Sequence, residues 1–109
     1  MEIKQKEIKS SGIKFFIERE GREIARAHLY LLYNDLHKRP FGLLEDVYVD
    51  EAHRGQGLGT ILVKAVLEEA KKRCYKLIGT SRYSREKVHQ WYEGLGFKNY
   101  GVEFRMDFQ

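Results

Sequence analysis

An α+β fold of the α/β three-layer type is what this sequence predicts: a mixed, largely antiparallel twisted sheet of six or seven strands with two main helices. Three observations predict it. Ile13, Phe15 and Ile17 alternate with Lys14, Phe16 and Glu18, and past the tight turn at Glu20-Gly21 residues 24–33 continue as a longer strand, together the pattern of a hairpin. Leu58, Ile61, Leu62, Ala65, Val66 and Ala70 then recur at helical spacing, directly behind a glycine-rich turn. Val102, Phe104, Met106 and Phe108 alternate again near the end. A length of 109 residues suits one domain, residues 1–109, with one core.

The elements follow in order. Residues 2–9 read as a short strand whose only aliphatic side chains are Ile3 and Ile8, and Ser10-Ser11-Gly12 reads as a turn. Ile13, Phe15 and Ile17 alternate with Lys14, Phe16 and Glu18 up to the tight turn at Glu20-Gly21, and residues 24–33 continue as a longer strand. Residues 34–42 hold the only proline, Pro40, and read as a loop. Residues 43–49 are the next strand, on the alternation of Val47 and Val49. A helix of about four turns, near residues 57–73, follows. Lys71, Lys72 and Arg73 suit its end, where cations meet the dipole. Residues 75–80 form a short strand. Ser84 is the expected N-cap of a second helix reaching about residue 94, with Val88, Trp91, Tyr92 and Leu95 on one face. Residues 97–100 and 102–108 close the chain as strands.

Composition narrows the function. Hydrophobic residues make up 42% and aromatic residues 13%, enough for a packed core. No apolar run approaches a membrane span, so no membrane partner is expected. The first residues carry no apolar signal segment, and a cytoplasmic location is the expectation. Cys74 is the only cysteine, which leaves no internal disulfide and suggests a small buried hydrophobe. His28, His37, His53 and His89 lack metal-ligand spacing, so no metal is expected. The net charge of +4 admits acidic partners. There is no aromatic-basic RNA signature or recognition-helix pattern, and no nucleic-acid partner is expected.

The chemistry gathers where the third apolar strand runs into the first helix. Residues 44–59 read Leu-Glu-Asp-Val-Tyr-Val-Asp-Glu-Ala-His-Arg-Gly-Gln-Gly-Leu-Gly. The first N–H groups of a helix lack internal partners, the dipole adds positive charge there, and glycines admit a ligand closely. A phosphate-type anion is the expected ligand. No lysine follows Gly59, so a Walker loop is excluded. Gly55, Gly57 and Gly59 are spaced two and two, so a dinucleotide fingerprint is excluded as well. Arg54, Gly57 and Gly59 do satisfy Arg/Gln-x-x-Gly-x-Gly/Ala. This resembles the acyl-CoA-binding motif of the GNAT superfamily of N-acyltransferases. Trp91-Tyr92-Glu93-Gly94-Leu95-Gly96-Phe97 resembles the aromatic-Tyr-Glu-x-x-Gly-Phe signature of the same superfamily. The resemblance covers roughly residues 43 to 100.

The resemblance implies the acyl-CoA N-acyltransferase fold, acetyl-CoA as co-substrate and a primary amine as acceptor. It implies that Val47, Tyr48 and Val49 bond the pantetheine arm, and that the pyrophosphate lies on N–H groups among Gly55, Gln56, Gly57, Leu58, Gly59 and Thr60. Arg54 packs or bonds near the turn. Tyr92 falls on the signature tyrosine, where a hydroxyl protonates the departing thiolate. Glu45 and Asp46 sit beside the cleft strand, where a carboxylate can bind the amine or take its proton. Strand alternation puts these two on opposite faces unless a bulge intervenes. Ser81, Ser84 and Arg85 follow the strand near residue 78, and Arg85 suits either a CoA phosphate or a solvated helix end. The sequence departs from the superfamily in one respect, since no helix fits between its first two strands, where acceptor-site helices usually lie. A homodimer that completes the pocket is therefore expected. The alternative is a non-catalytic acyl-CoA-binding or regulatory module.

Overall fold

Regular structure begins with β1 (Ser10–Arg19), which turns back as β2 (Arg22–Leu32). The computed structural model describes residues Met1–Gln109. The two-residue turn at Glu20 and Gly21 has φ of 53° and 73° and closes the pair Arg19↔Arg22. Two successive left-handed residues match the right-handed twist of the strands. β3 (Phe41–Val49) pairs antiparallel with β2, and β4 (Leu77–Gly79) pairs parallel with β3. The sheet order is β1-β2-β3-β4. Between β3 and β4 runs α1 (Leu58–Arg73), since parallel neighbours need a crossover. This unit spans Met1–Gly79.

Register assigns the side chains to faces. Ala25, Ala27, Leu29 and Leu31 point one way from β2 and are at most 1% exposed. Leu44 is the register partner of Leu29 and shares that face. α1 packs across β2 and β3 and covers it with Leu62, Val63, Val66 and Ala70. A buried leucine contributes about 1.5–3 kcal/mol relative to exposure, so these few positions supply much of the unit's stability. A Cβ at Gly42 would lie 2.9–3.1 Å from Leu77 Cδ1, Leu29 Cδ1 and Cys74 Sγ, so only glycine lets these groups meet. Cys74 is buried here as expected, and burial pushes its thiol up.

A second compact unit spans Thr80–Gln109 and holds α2 (Glu86–Gly94). Its C-terminal turn is closed by Leu95 N–H to Trp91 O at 3.1 Å, Gly96 N–H to Glu93 O at 3.0 Å and Phe97 N–H to Tyr92 O at 3.1 Å. Gly96 has φ of 106°, which explains the glycine before the final phenylalanine of the motif.

The α+β class, the two helices and the mixed sheet are as expected, but the sheet has four strands and not six or seven. Residues 2–9 form no strand, because Ile3 and Ile8 lie among charged residues and stay exposed. Residues 97–100 and 102–108 form none either, and Phe104 and Phe108 are 92% and 88% exposed. Alternation reports a two-faced segment and not the pairing that makes it a strand. The N-cap of α2 is Arg85, without a side-chain cap, and not Ser84.

Candidate active site

β3 outruns its parallel partner. Pairing with β4 ends at Leu44↔Gly79, while β3 continues to Val49. The stretch carrying Val47, Tyr48 and Val49 therefore has β2 on one edge and no paired strand on the other. Such an edge offers backbone groups to an extended ligand.

Beyond Val49 the chain is held tightly. Asp50 N–H donates to Ile24 O at 2.7 Å, and the Asp50 carboxylate lies 3.1 Å from His53 Nδ1 and 3.5 Å from Arg22. A 3₁₀ turn at Glu51–His53 leads to Arg54, whose Nε donates back to Val49 O at 2.9 Å. Its guanidinium also lies 5.6 Å from the Tyr48 ring. Arg54 thus fastens the turn to the strand. Gly55 and Gly57 have φ of 80° and 78°. No heavy atom lies within 4 Å of a Cβ built on either, so backbone conformation and not crowding calls for glycine.

Gly57 is the N-cap of α1, and its carbonyl accepts the first helical bond from Ile61 at 3.1 Å. The amides of Gly57, Leu58 and Gly59 precede that bond. No side chain caps them and no acidic residue lies in the first turn. The helix start therefore keeps its donors and its positive dipole end for an anion.

One turn of sequence upstream, β3 carries a bulge. The pairs Arg26↔Tyr48 and His28↔Glu45 leave Ala27 facing both Asp46 and Val47. Asp46 has φ of 51°, a left-handed conformation that aspartate tolerates better than most residues. The bulge resolves the question of faces. Glu45 shares a face with its register partner His28, and the Asp46 carboxylate reaches Arg26 on that same face. Both acids therefore lie on the side of the sheet away from α1.

Asp46 accepts from Arg26 Nε at 2.9 Å and from Arg26 Nη2 at 3.4 Å. This hydrogen bond with Arg26 holds its carboxyl below the usual carboxylate range and raises the guanidinium in turn. Arg26 also lies 3.6 Å from Glu23, which is lowered chiefly by its hydrogen bond from Lys14. The Tyr48 ring sits 4.7 Å from the Arg26 guanidinium. His28 Nδ1 is buried without a hydrogen-bond partner, 3.6 Å from Asp46 Oδ2. Nothing in the local sequence marks Arg26 or His28 as neighbours of Asp46. The alternation of β2 places them opposite Ala25 and Ala27, but only the bulge brings Asp46 to them.

In the second unit Tyr92 is half-buried on α2, with its ring 5.2 Å from Trp91 and 5.1 Å edge-on from Phe97. His89 Nε2 lies 2.8 Å from Arg82 O, which fixes the ring on the helix surface. No group of three or more His, Cys, Asp or Glu side chains is placed to hold a metal, and no helix is long and apolar enough to cross a membrane.

The Acetyltransferase (GNAT) family model matches residues 2–97. Glucosamine 6-phosphate N-acetyltransferase of Trypanosoma brucei brucei is 41% identical over 70 residues, 63% of this chain and 46% of that protein. The chain spans less than half the length of the curated relatives it matches. Among solved structures, a Trypanosoma brucei acetyltransferase superposes with a TM-score of 0.76 at 34% identity, covering 90% of this chain and 68% of that one. The glucosamine-6-phosphate N-acetyltransferase of Arabidopsis thaliana superposes with a TM-score of 0.78 at 26% identity, covering 90% and 67%.

Proposed function

This chain belongs to the GNAT acetyltransferase family, and from that premise we propose that it moves an acetyl group from acetyl-CoA to a primary amine. The observation that carries the reading is the run of β3 past β4 into a helix start whose first amides face no cap and no acid. The pantetheine arm lies along residues 47–49 of the open edge, and the pyrophosphate sits on the amides of residues 55–60. Arg54 keeps the two parts in register through its bond to Val49 O.

Transfer is direct. The amine nitrogen attacks the thioester carbonyl, a tetrahedral intermediate forms, and the C–S bond breaks as the carbonyl re-forms. Glu45 and Asp46 draw the amine to the bulge. Asp46 stays anionic because of Arg26, so it suits binding a cationic acceptor better than taking a proton. Tyr92 gives its phenolic proton to the departing thiolate. A thiolate carries charge that the thioester lacks, so a donor at sulfur favours the transition state. Tyr92→Phe keeps the ring beside Trp91 and Phe97 and removes only the hydroxyl. Its kcat falls about ten- to a thousandfold, while acetyl-CoA affinity and Tm change little.

The names of the two relatives above favour an amino-sugar phosphate as acceptor. We propose further that a second copy completes the acceptor pocket, since β1 and β2 are joined by the turn at Glu20-Gly21 with no helix between them. The test is turnover of acetyl-CoA with glucosamine 6-phosphate, spermidine and free lysine, read as acetylated product by mass spectrometry. Product with one of them supports the reading. Tight acetyl-CoA binding without any product would instead favour the non-catalytic module.

A further inference from the structure

We propose that His28 accepts the proton given up by the attacking amine while Asp46 holds its ring, an inference that rests on the transferase reading above. His28 stands on β2 opposite Glu45, next to the bulge, on the sheet face away from α1. Its side chain is 22% exposed, so the ring is fixed yet reachable. Tyr30 stacks nearly parallel to it, with centroids 6.0 Å apart and planes within 8°.

The Nδ1 atom is the telling one. It is buried, has no hydrogen-bond partner, and lies 3.6 Å from Asp46 Oδ2. An unsatisfied buried ring nitrogen costs stability. A carboxylate at that distance gives little to a neutral ring and much more to an imidazolium. The pair is thus worth most after His28 has taken a proton, which is the state reached during transfer. With Nδ1 turned to Asp46, Nε2 is the nitrogen left for the substrate.

The neighbours permit this role. Lys14 faces His28 from β1, Arg26 and Tyr30 flank it on β2, and Glu45 and Asp46 face it from β3. Both cations are already engaged, Lys14 by Glu23 and Arg26 by Asp46 and Glu23. Asp46 is itself held anionic by Arg26 and makes a poor proton acceptor. Histidine is the side chain whose charge ordinarily changes between about pH 5 and 8.

The step balances as follows. The nitrogen lone pair forms the N–C bond, the nitrogen becomes cationic, and its proton passes to Nε2 of neutral His28. The oxygen's electron pair restores the carbonyl, the C–S pair leaves with sulfur, and the thiolate takes the Tyr92 proton. Solvent then discharges the imidazolium and reprotonates the phenolate.

The experiment compares wild type with His28→Gln, using acetyl-CoA with glucosamine 6-phosphate and with spermidine, across about pH 5 to 9. Wild type is expected to show an acid limb in kcat/KM beyond that of the free amine. His28→Gln should lose that limb and about a hundredfold in rate near neutrality, with partial recovery at high pH and unchanged acetyl-CoA affinity. An active wild type without such a limb overturns the role even if the variant fails to fold. A folded His28→Gln with the wild-type profile overturns it too, and leaves the transferase reading standing. A wild type that acetylates none of glucosamine 6-phosphate, spermidine and free lysine overturns the transferase reading and this inference with it.

Discussion

The two faces of β2 are built from alternate residues of one strand and behave as different materials. Toward α1 stand Ala25, Ala27, Leu29 and Leu31, all closed to solvent. Away from it stand Arg26, His28 and Tyr30, joined by Lys14, Glu45 and Asp46 from the neighbouring strands. The first face is held by packing, which tolerates no polarity and little change of volume. The second is held by ion pairs in contact with water, which individually contribute little to stability. The strand is thus anchored by packing on one side and carries its polar side chains on the other.

Breaking the inner face should have the larger effect on stability. Leu29→Ala removes a side chain with no exposed surface and should destabilise the protein by about 2–5 kcal/mol. Urea unfolding checks the loss, and the folded fraction should keep the wild-type shape of its pH–rate profile. Breaking the outer face should do the opposite. Asp46→Asn should leave Tm near wild type at neutral pH and lower kcat/KM for the acceptor by about tenfold, the size of one charge-assisted hydrogen bond. If Asp46→Asn unfolds the protein, or Leu29→Ala alters the profile of the folded enzyme, the division between the faces fails.

Acid sharpens the same contrast by a smaller amount. Arg26 depresses the Asp46 carboxyl in the folded state. The stability this supplies is therefore present above the ordinary carboxylate value of about 3.9 and is lost as pH falls through the lower folded value. Wild type should keep a small, constant stability margin over Asp46→Asn from about pH 5 to 8 and lose that margin below about pH 4.

The sequence made some of this legible and hid the rest for identifiable reasons. The hairpin turn at Glu20-Gly21, α1 and the glycine turn are local events, specified by residues within a few positions of one another. The face shared by Glu45 and Asp46 is not local. It depends on a bulge at Asp46, a residue with no glycine or proline to mark it, and on the register with β2. The same register turns His28 from an unremarked histidine into the neighbour of Asp46. The final alternation failed as a strand signal because a strand also needs an edge to pair with, and Val102, Phe104, Met106 and Phe108 carry no information about that edge. The N-cap of α2 lies one residue beyond Ser84, at Arg85, whose side chain makes no capping bond.

The central claim is that the start of α1 binds the phosphates of acetyl-CoA, and calorimetric titration of acetyl-CoA into wild type, Gly57→Ala and Gly57→Glu tests it most directly. Both variants carry a Cβ at φ of 78° and share the backbone strain, but only the second adds negative charge at the helix start. Wild type should bind, Gly57→Ala should bind more weakly, and Gly57→Glu should show no measurable heat while remaining folded by circular dichroism. Unchanged affinity in a folded Gly57→Glu would contradict the claim and place the cofactor elsewhere.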